Sequence, residues 1–312
     1  MKKFKGPILL LITAMLWGMA FVAQTVGGDA VGAFTFNASR NFIGVLFLTG
    51  VIAWRKRTGV DQPPTDDARG YGKRTLMIAG ASCGIVLFLA AWLQQAGINA
   101  YPASAAASGR SGFITALYMV IVALYSGFTE RKTHPVVFLA VAIAVAGLYL
   151  LCVPNGFGDL YFGDVLVFLC AFGYAAHIIV IDKFTQVDGV RLSRMQLLTS
   201  GIIALVCALV FEHPTLAQIA AAMVPILYAG VCSDGIAYTC QIVAQKTTDP
   251  TVAAILMSLE SVFAGLGGWL VLQESLAPIE LVGCALVFVA VMLAQVPEFR
   301  QNALRKRDAE QG

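Results

Sequence analysis

The chain has 312 residues, of which 58% are hydrophobic and 12% are charged, and its formal net charge is +3. A soluble domain carries about 25% charged residues, so this composition excludes an ordinary soluble protein. The basic residues lie in short clusters between apolar runs and form no single basic face, which argues against nucleic-acid binding. No two cysteines form a CxxC pair and no histidine has metal-ligand spacing, so we expect neither a metal nor another cofactor.

Long apolar stretches predict helices that cross a membrane. A hydrocarbon core about 30 Å thick needs roughly 20 apolar residues per helix. Ten stretches, each bounded by charge, Pro or Gly, meet this requirement: 7–25, 34–54, 76–97, 103–126, 135–153, 163–182, 194–211, 218–244, 250–272 and 278–296. The first follows a basic amino terminus, as a secretory signal peptide does. Because it has a counterpart later in the chain, we interpret it as a retained helix.

The distribution of basic residues predicts the topology. With the amino terminus in the cytoplasm, the segments that alternation places inside hold 19 of the 21 Lys and Arg residues, and the outer loops hold none. The other two, Arg40 and Arg110, lie within helices. Because cytoplasmic loops are enriched in Lys and Arg, this partition predicts an all-α integral membrane protein with ten helices and both termini cytoplasmic.

The two halves of the chain resemble each other. A stretch that begins at Gly6 aligns without gaps on one that begins at Gly163, which pairs Trp17 with Tyr174. A glutamate followed by a proline also recurs late in each half: Glu130 and Pro135, then Glu274 and Pro278. We therefore predict two five-helix repeats.

The predicted boundaries of the repeats are 1–155 and 156–312, the second ending in a short basic cytoplasmic tail. Because five is an odd number, the second repeat enters the membrane upside down relative to the first. Inverted-topology repeats are typical of secondary transporters, in which the two repeats exchange conformations to open a site to either side.

Four motifs occur in order along the chain: Leu16-Trp17-Gly18 with Phe21-Val22, Phe34 to Arg40, Ala107 to Tyr118, and Ser258 to Phe263 with Gln273-Glu274. In this order and spacing they resemble the EamA-type branch of the drug/metabolite transporter superfamily over about residues 6–296. The resemblance implies a central cavity lined mainly by helices 1, 3, 4, 6, 8 and 9 and used for metabolite efflux or exchange. We expect a bacterial cytoplasmic (inner) membrane protein.

The chain departs from the family pattern at two positions. The family often has a proline after the ninth-helix glutamate, where this chain has Ser261, and another after the fourth-helix tyrosine, where it has Met119. Those prolines would bend helices at the cavity. We therefore expect the gating geometry to differ in detail.

Four charged side chains are predicted at membrane depth, where a charge costs about 3 kcal/mol or more: Arg40, Arg110, Asp234 and Glu260. Glu260 either binds a substrate amine or carries a coupling proton, or it forms a structural ion pair with one of the arginines. Asp234 has the same two interpretations. Arg110 is a substrate-carboxylate ligand or a counter-ion, and Arg40 is interpreted as structural. Two positive and two negative charges suit a zwitterionic or weakly charged substrate, such as an amino acid.

Aromatic and amide side chains are candidates for the cavity wall. They are Trp17, Tyr118, Tyr174, Tyr238, Gln94 and Gln241, and His177 is a candidate proton relay. For the aromatic residues the alternatives are core packing and the interfacial belt in which Trp and Tyr are common. For the glutamines the alternative is hydrogen bonding between helices.

The sequence fits other functions less well than transport. The chain has no HExxH or GxSxG motif, and Gly156–Asp159 spells the GxGD of intramembrane aspartyl proteases only in a predicted outer loop, where a turn is favoured. An intramembrane enzyme, a channel, a receptor and a scramblase stay as alternatives. We expect a secondary transporter, an exporter or exchanger of small organic metabolites, whose partners are its substrate and the lipid bilayer rather than nucleic acid.

Overall fold

The computed structural model describes residues 5–59, 72–102, 105, 107–129, 135–152, 161–273, 278–294 and 296, and these residues form helices and short connections without a strand. The predicted repeat boundary at 155/156, the GxGD segment at 156–159 and the basic tail lie outside the described residues.

Eight helical stretches in the described residues are long and apolar enough to cross a membrane. They are α1 (Lys5–Gly28), α2 (Ala33–Arg57), α3 (Lys73–Asn99), α4 (Ala107–Ala116) with α5 (Tyr118–Thr129), α7 (Phe162–Asp182), α8 (Gly189–Phe211), α10 (Met223–Tyr228) with the π-helix π1 (Ala229–Ala237) and α11 (Tyr238–Gln245), and α12 (Pro250–Met257) with α13 (Glu260–Leu272). Shorter helices are α6 (Pro135–Cys152), α9 (Leu216–Ala221) and α14 (Pro278–Ala294). The chain is therefore an all-α, multi-pass membrane protein.

Large apolar side chains cover the outside of the bundle, and small or polar ones fill its inside. Leu46, Phe128 and Val224 are 71%, 84% and 79% exposed, as expected of side chains that face lipid tails. Inside, helices approach through glycine: a Cβ on Gly18 would lie 2.3 Å from Phe263 Cβ. Such small-residue contacts bring backbones together where lipid provides no hydrophobic driving force.

The helices pack in related pairs. Helix α2 packs on α8, and α6 packs on α14. Helix α3 packs along α7, and the run from α10 to α11 packs along α1. Since each partner in these pairs comes from a different half of the chain, the two halves are interleaved around a shared interior.

An ion pair ties the bundle at the end that the sequence predicts to be cytoplasmic. Asp188 caps α8 by accepting a hydrogen bond from the Arg191 N–H (3.0 Å), and Arg55 Nη2 lies 3.2 Å from Asp188 Oδ2. Burial alone would raise the pKa of Asp188, but the hydrogen bonds from these two arginines outweigh burial, so its pKa lies below the ordinary value. The pair connects α2 of the first half with α8 of the second.

A carboxylate caps α2 at the predicted outer end. Glu212, which follows α8, accepts hydrogen bonds from the Phe34 and Thr35 N–H groups at 2.8 and 2.7 Å and from the Thr35 hydroxyl at 2.6 Å. The first N–H groups of a helix have no partner within the helix and carry partial positive charge. Glu212 therefore satisfies two of them and joins the same two helices, α2 and α8, at their other ends.

Candidate functional site: a central polar cavity

Two membrane helices are interrupted near their midpoints. The α4–α5 helix breaks at Leu117, where the Leu117 N–H bonds to Ile114 O three residues back instead of four. The α12–α13 helix breaks at Ser258 and Leu259 with the same tight turn. Discontinuous helices at matching places in two halves are typical of transporter binding sites.

Serine hydroxyls accompany the second interruption. Ser258 Oγ donates to Ile255 O and Ser261 Oγ donates to Ser258 O, both at 2.7 Å. Serine side chains that bond to helix carbonyls bend helices. Although the prolines common in the family are missing from this chain, both helices are interrupted at the cavity all the same.

A third irregularity lies in the run from α10 to α11. Residues Ala229–Ala237 form a π-helix between α10 and α11, and this segment carries Ser233 and Asp234. It packs closely on α2, since a Cβ on Gly230 would lie 2.6 Å from Ile43 Cγ2. Short π-helical segments are frequent at functional sites, and this one places two polar side chains in the interior of the bundle.

The irregular segments surround a cavity between the two halves. The space between its walls is about 430 Å³, the part open to solvent included. Its walls are Trp17, Ala20, Phe21, Gln24, Arg40, Gln94, Thr115, Tyr118, Tyr174, His177, Ile178, Ser233, Tyr238, Gln241 and Glu260. Eight of the ten residues that the sequence proposed for substrate binding or coupling are in this set; Asp234 and Arg110 are not.

Glu260 is the first residue of α13 and lies directly after the break. It is 3% exposed, and its Oε1 has no hydrogen-bond partner within the described residues. The Tyr118 hydroxyl, at the start of α5, lies close enough to interact with the Glu260 carboxyl group, although no hydrogen bond of good geometry forms at Tyr118 Oη in the part of the chain that the structure describes. The two interrupted helices thus bring a buried carboxyl group and a buried hydroxyl to the same space.

Arg40 is paired with Asp234 rather than with Glu260. Arg40 Nε lies 3.7 Å from Asp234 Oδ2, and the two side chains are 3% and 0% exposed. Neither Arg40 Nε nor either Asp234 oxygen makes a hydrogen bond within the described part of the chain. The pair joins α2 to π1, and of its two members Arg40 borders the cavity.

Arg110 lies away from the cavity, at the predicted outer end. Its Nε and Nη2 donate to the two oxygens of Asp164 at 2.6 and 2.7 Å, and its guanidinium lies 5.0 Å from the centre of the Tyr161 ring. Tyr101 Oη donates to the same carboxylate at 2.8 Å. The predicted balance of two positive and two negative intramembrane charges was incomplete, because it omitted Asp164 in the first turn of α7.

A chain of hydrogen bonds orders one wall of the cavity. Tyr174 Oη donates to Gln94 Oε1 at 3.1 Å, and Gln94 Nε2 donates to Thr115 Oγ1 at 3.1 Å. Thr115 Oγ1 lies 3.6 Å from Cys170 Sγ. Because three of these four side chains border the cavity, the chain fixes their orientation across α3, α4 and α7.

Aromatic rings form an adjoining part of the wall. Trp17 and Tyr238 meet edge to face with centroids 4.9 Å apart, and His177 meets Tyr238 in the same way at 5.7 Å. His177 Nε2 lies 3.0 Å from Gln196 Oε1, within hydrogen-bond distance. Trp17 Nε1 and Gln241 Oε1 are buried without a hydrogen-bond partner in the described residues.

Several residues of the cavity wall were not predicted from the sequence. One of them had a signal, since Gln24 lies two turns from Trp17, which was proposed, on the face of α1 that Trp17 and Phe21 share. Thr115 and Ser233 had none, because hydroxyls in apolar helices usually bond to their own backbone. Within the described residues no group of three His, Cys, Asp or Glu side chains could hold a metal ion.

The fold and cavity define a membrane protein with a buried polar site between two halves. The model of the EamA-like transporter family matches residues 4–153 and again 161–295. The chain belongs to the EamA-like transporter family. This confirms the family indicated by the sequence motifs and makes the protein a membrane transporter.

Individual proteins agree with this assignment. An uncharacterized transporter of Archaeoglobus fulgidus is 25% identical over 301 residues, which cover 95% of this chain and 87% of the relative. The uncharacterized transporter YoaV of Bacillus subtilis is 21% identical over 91% of this chain and 94% of its own. A protein of known crystal structure, 17% identical, superposes with a TM-score of 0.73 over 93% of this chain and 98% of its own. At that identity the superposition shows a shared fold alone.

Proposed function

We propose that the protein is a secondary transporter that moves small organic metabolites by alternating access, as an exporter or exchanger. One observation carries the proposal: Glu260, a buried carboxylate with an unpaired oxygen, borders a cavity at the break of a membrane helix. A transporter needs a polar site near mid-membrane whose walls can separate. Interrupted helices provide such walls, because they leave backbone and side-chain groups free to bind a solute.

The proposed architecture has ten spans in two inverted repeats. Helices α6 and α14 add two spans to the eight long ones, and the family model matches each half of the chain separately. The related packing of α2 on α8 and of α6 on α14 supports the same division. With both termini cytoplasmic, the basic residues face the inside of a bacterial inner membrane.

The predicted outer side is closed in this conformation. Gly18 and Gly112 allow α1 and α4 to pack against α13, since a Cβ on Gly112 would lie 2.9 Å from Ala264 Cβ. Further out, Arg110 and Asp164 join α4 of the first half to α7 of the second. In the alignment of the halves Asp164 corresponds to Pro7, so the cytoplasmic side has no equivalent carboxylate. We propose that the Arg110–Asp164 pair forms only while the outer side is closed.

Counterflow in proteoliposomes tests the transport function. Liposomes containing the protein are loaded with one unlabelled solute from a panel of amino acids, nucleosides and organic cations, and uptake of the same labelled solute is followed. Saturable uptake that depends on the internal solute is expected for a carrier. Flux that never saturates would indicate a channel, and no flux for any panel member would contradict the proposal.

A matched pair of variants connects transport to the cavity. Glu260→Gln removes the charge and keeps the shape, and we expect it to reduce counterflow at least tenfold, since a buried group that contacts the solute is lost. Asp29→Asn makes the same chemical change at an exposed position between α1 and α2 and is expected to leave counterflow unchanged. Equal activity of the two variants would exclude Glu260 from the transport site.

A further inference from the structure

The charged side chains in and near the cavity are paired with a side chain of opposite charge, with one exception. Arg40 borders the cavity but has Asp234 beside it, with both side chains almost fully buried. Arg110 lies outside the cavity and is bound by both oxygens of Asp164. Glu260 borders the cavity and has no counter-ion within the described residues. Glu260 is therefore the cavity-lining carboxyl group that has no counter-ion among the described side chains and can take a cation as its partner.

The walls next to this carboxylate suit a cation. Trp17, Tyr118, Tyr174 and Tyr238 all border the cavity. The faces of such rings attract ammonium groups, most strongly where water is excluded. The remaining cavity-lining group able to carry positive charge, His177, directs Nε2 at Gln196 and meets Tyr238 edge to face. No described side chain thus supplies Glu260 with the positive charge that it lacks.

We infer that the site recognises its substrate through a cationic nitrogen, an ammonium or alkylammonium group held by Glu260 among these four rings, and that a substrate carboxylate is not required. The inference rests on the proposed transport function. The summed charges predicted a zwitterionic or weakly charged substrate, and the inference restricts this class to substrates that carry a cationic nitrogen. A substrate carboxylate would have to compete with Asp234 for Arg40. Removing Asp234 from its partner would leave a buried charge uncompensated, which is unfavourable.

Ligands that share one skeleton and differ only in charge test the inference. Phenethylamine, phenylalanine and 3-phenylpropanoate are a cation, a zwitterion and an anion, and 3-methylbutylamine, leucine and 4-methylpentanoate form a second such series. Binding of each compound to the purified full-length protein is measured by titration calorimetry. In each series we expect the amine to bind at least as tightly as the amino acid, and the acid to bind roughly tenfold more weakly or not at all.

Variants of Glu260 test whether its carboxylate binds the cationic group. Glu260→Gln is expected to weaken binding of the amine by roughly 30-fold or more, because one member of a buried charge pair is removed. Glu260→Asp, which keeps the charge, should lose less, and Asp29→Asn should bind as the wild type does. The ligand comparison on the wild-type protein needs no variant, so it tests the inference even if Glu260→Gln fails to fold.

The possible outcomes distinguish failure of the inference from failure of the proposed transport function. Binding of an amino acid, or of an acid, with no binding of the matching amine would overturn the inference and assign the carboxylate to Arg40, while transport would stand. Counterflow of uncharged or anionic solutes with no binding of any amine would also overturn it. Failure of the entire counterflow panel would contradict the transport function, and the inference with it.

Discussion

Removing the ion pair at the predicted outer end should shift the protein toward an outward-open state. Arg110 donates two short hydrogen bonds to Asp164, and its side chain is only 17% exposed. A hydrogen bond to a charged group contributes about 1.5–3 kcal/mol. Since water replaces part of this interaction at a partly exposed side chain, we take about 2 kcal/mol for Arg110→Gln. That value corresponds to a change of about 30-fold in the ratio of closed to open molecules.

The change is measurable as access of a thiol reagent to the cavity. In a background with the seven native cysteines replaced, Ser233→Cys places one thiol on the cavity wall with almost no change in shape. A membrane-impermeant maleimide is added from the predicted outer side, and the labelling rate is followed. Where labelling is limited by opening, Arg110→Gln should raise the rate by about 30-fold, and Arg110→Lys, which keeps the charge, by less.

A control at the other end of the bundle makes the result specific. Arg55→Gln removes an arginine from its ion pair with Asp188 at the predicted cytoplasmic end and should not raise labelling from outside. Equal labelling rates in wild type and in correctly folded Arg110→Gln would refute the role of the ion pair in closing the outer side. Equal increases in both variants would point to general loosening of the bundle instead.

Three further predictions concern stability, measured as thermal unfolding of the purified protein. Glu212→Gln should cost about 1 kcal/mol, because the amide is a weaker cap for the N–H groups of α2 that include Thr35; an unchanged unfolding temperature would contradict this. Gly18→Ala should lower the free energy of unfolding by about 1–3 kcal/mol through overpacking, because the added Cβ would lie 2.3 Å from Phe263 Cβ. A stabilised variant would show that the two helices can move apart without cost. Asp188→Asn should be less stable than wild type at neutral pH, because the pKa of Asp188 is lowered on folding. The difference in stability should disappear as the pH falls below about 4, where the wild-type carboxylate is protonated. A difference that grows in acid would contradict a stabilising role for the Asp188 carboxylate.

The helices were predictable because membrane crossing imposes one requirement on every span. The apolar stretch predicted at 7–25 corresponds to α1 (Lys5–Gly28), and most other boundaries agree as closely. The predicted stretch at 194–211 began too late, since α8 starts at Gly189. Its first turns carry Arg191 and Arg194, and hydropathy excludes such residues even where, as at Arg191, the side chain is buried.

Pairing of charges was not predictable from the sequence. Arg40 and Asp234 are far apart along the chain, and hydropathy does not say which helix faces which. For Glu260 an ion pair with an arginine was one of two interpretations, and Glu260 has no such partner among the described residues. Asp164 was not among the predicted intramembrane charges, since its place in the first turn of a helix, where the helix dipole favours a carboxylate, does not indicate a partner. Only packing in three dimensions distinguishes these cases.

The interruptions of the fourth and ninth predicted helices had no sequence signal of the expected kind. Proline is the usual cause of a break, and this chain lacks it at both positions. Ser258 and Ser261 instead direct their hydroxyls to backbone carbonyls at one break. A serine pair in an apolar helix is common enough that it predicts no break by itself. Neither of the two breaks was therefore predictable from the sequence.

Access of a reagent to the cavity from each side of the membrane is the sharpest test of alternating access. Vesicles in which the Ser233→Cys protein has a single orientation are prepared, and the impermeant maleimide is added to the predicted outer side or to the predicted inner side. We predict that the thiol is labelled from either side, and that labelling from outside rises in Arg110→Gln while labelling from inside falls. Labelling from one side alone, in the wild type and in Arg110→Gln, would contradict alternating access and indicate a pocket with a single entrance.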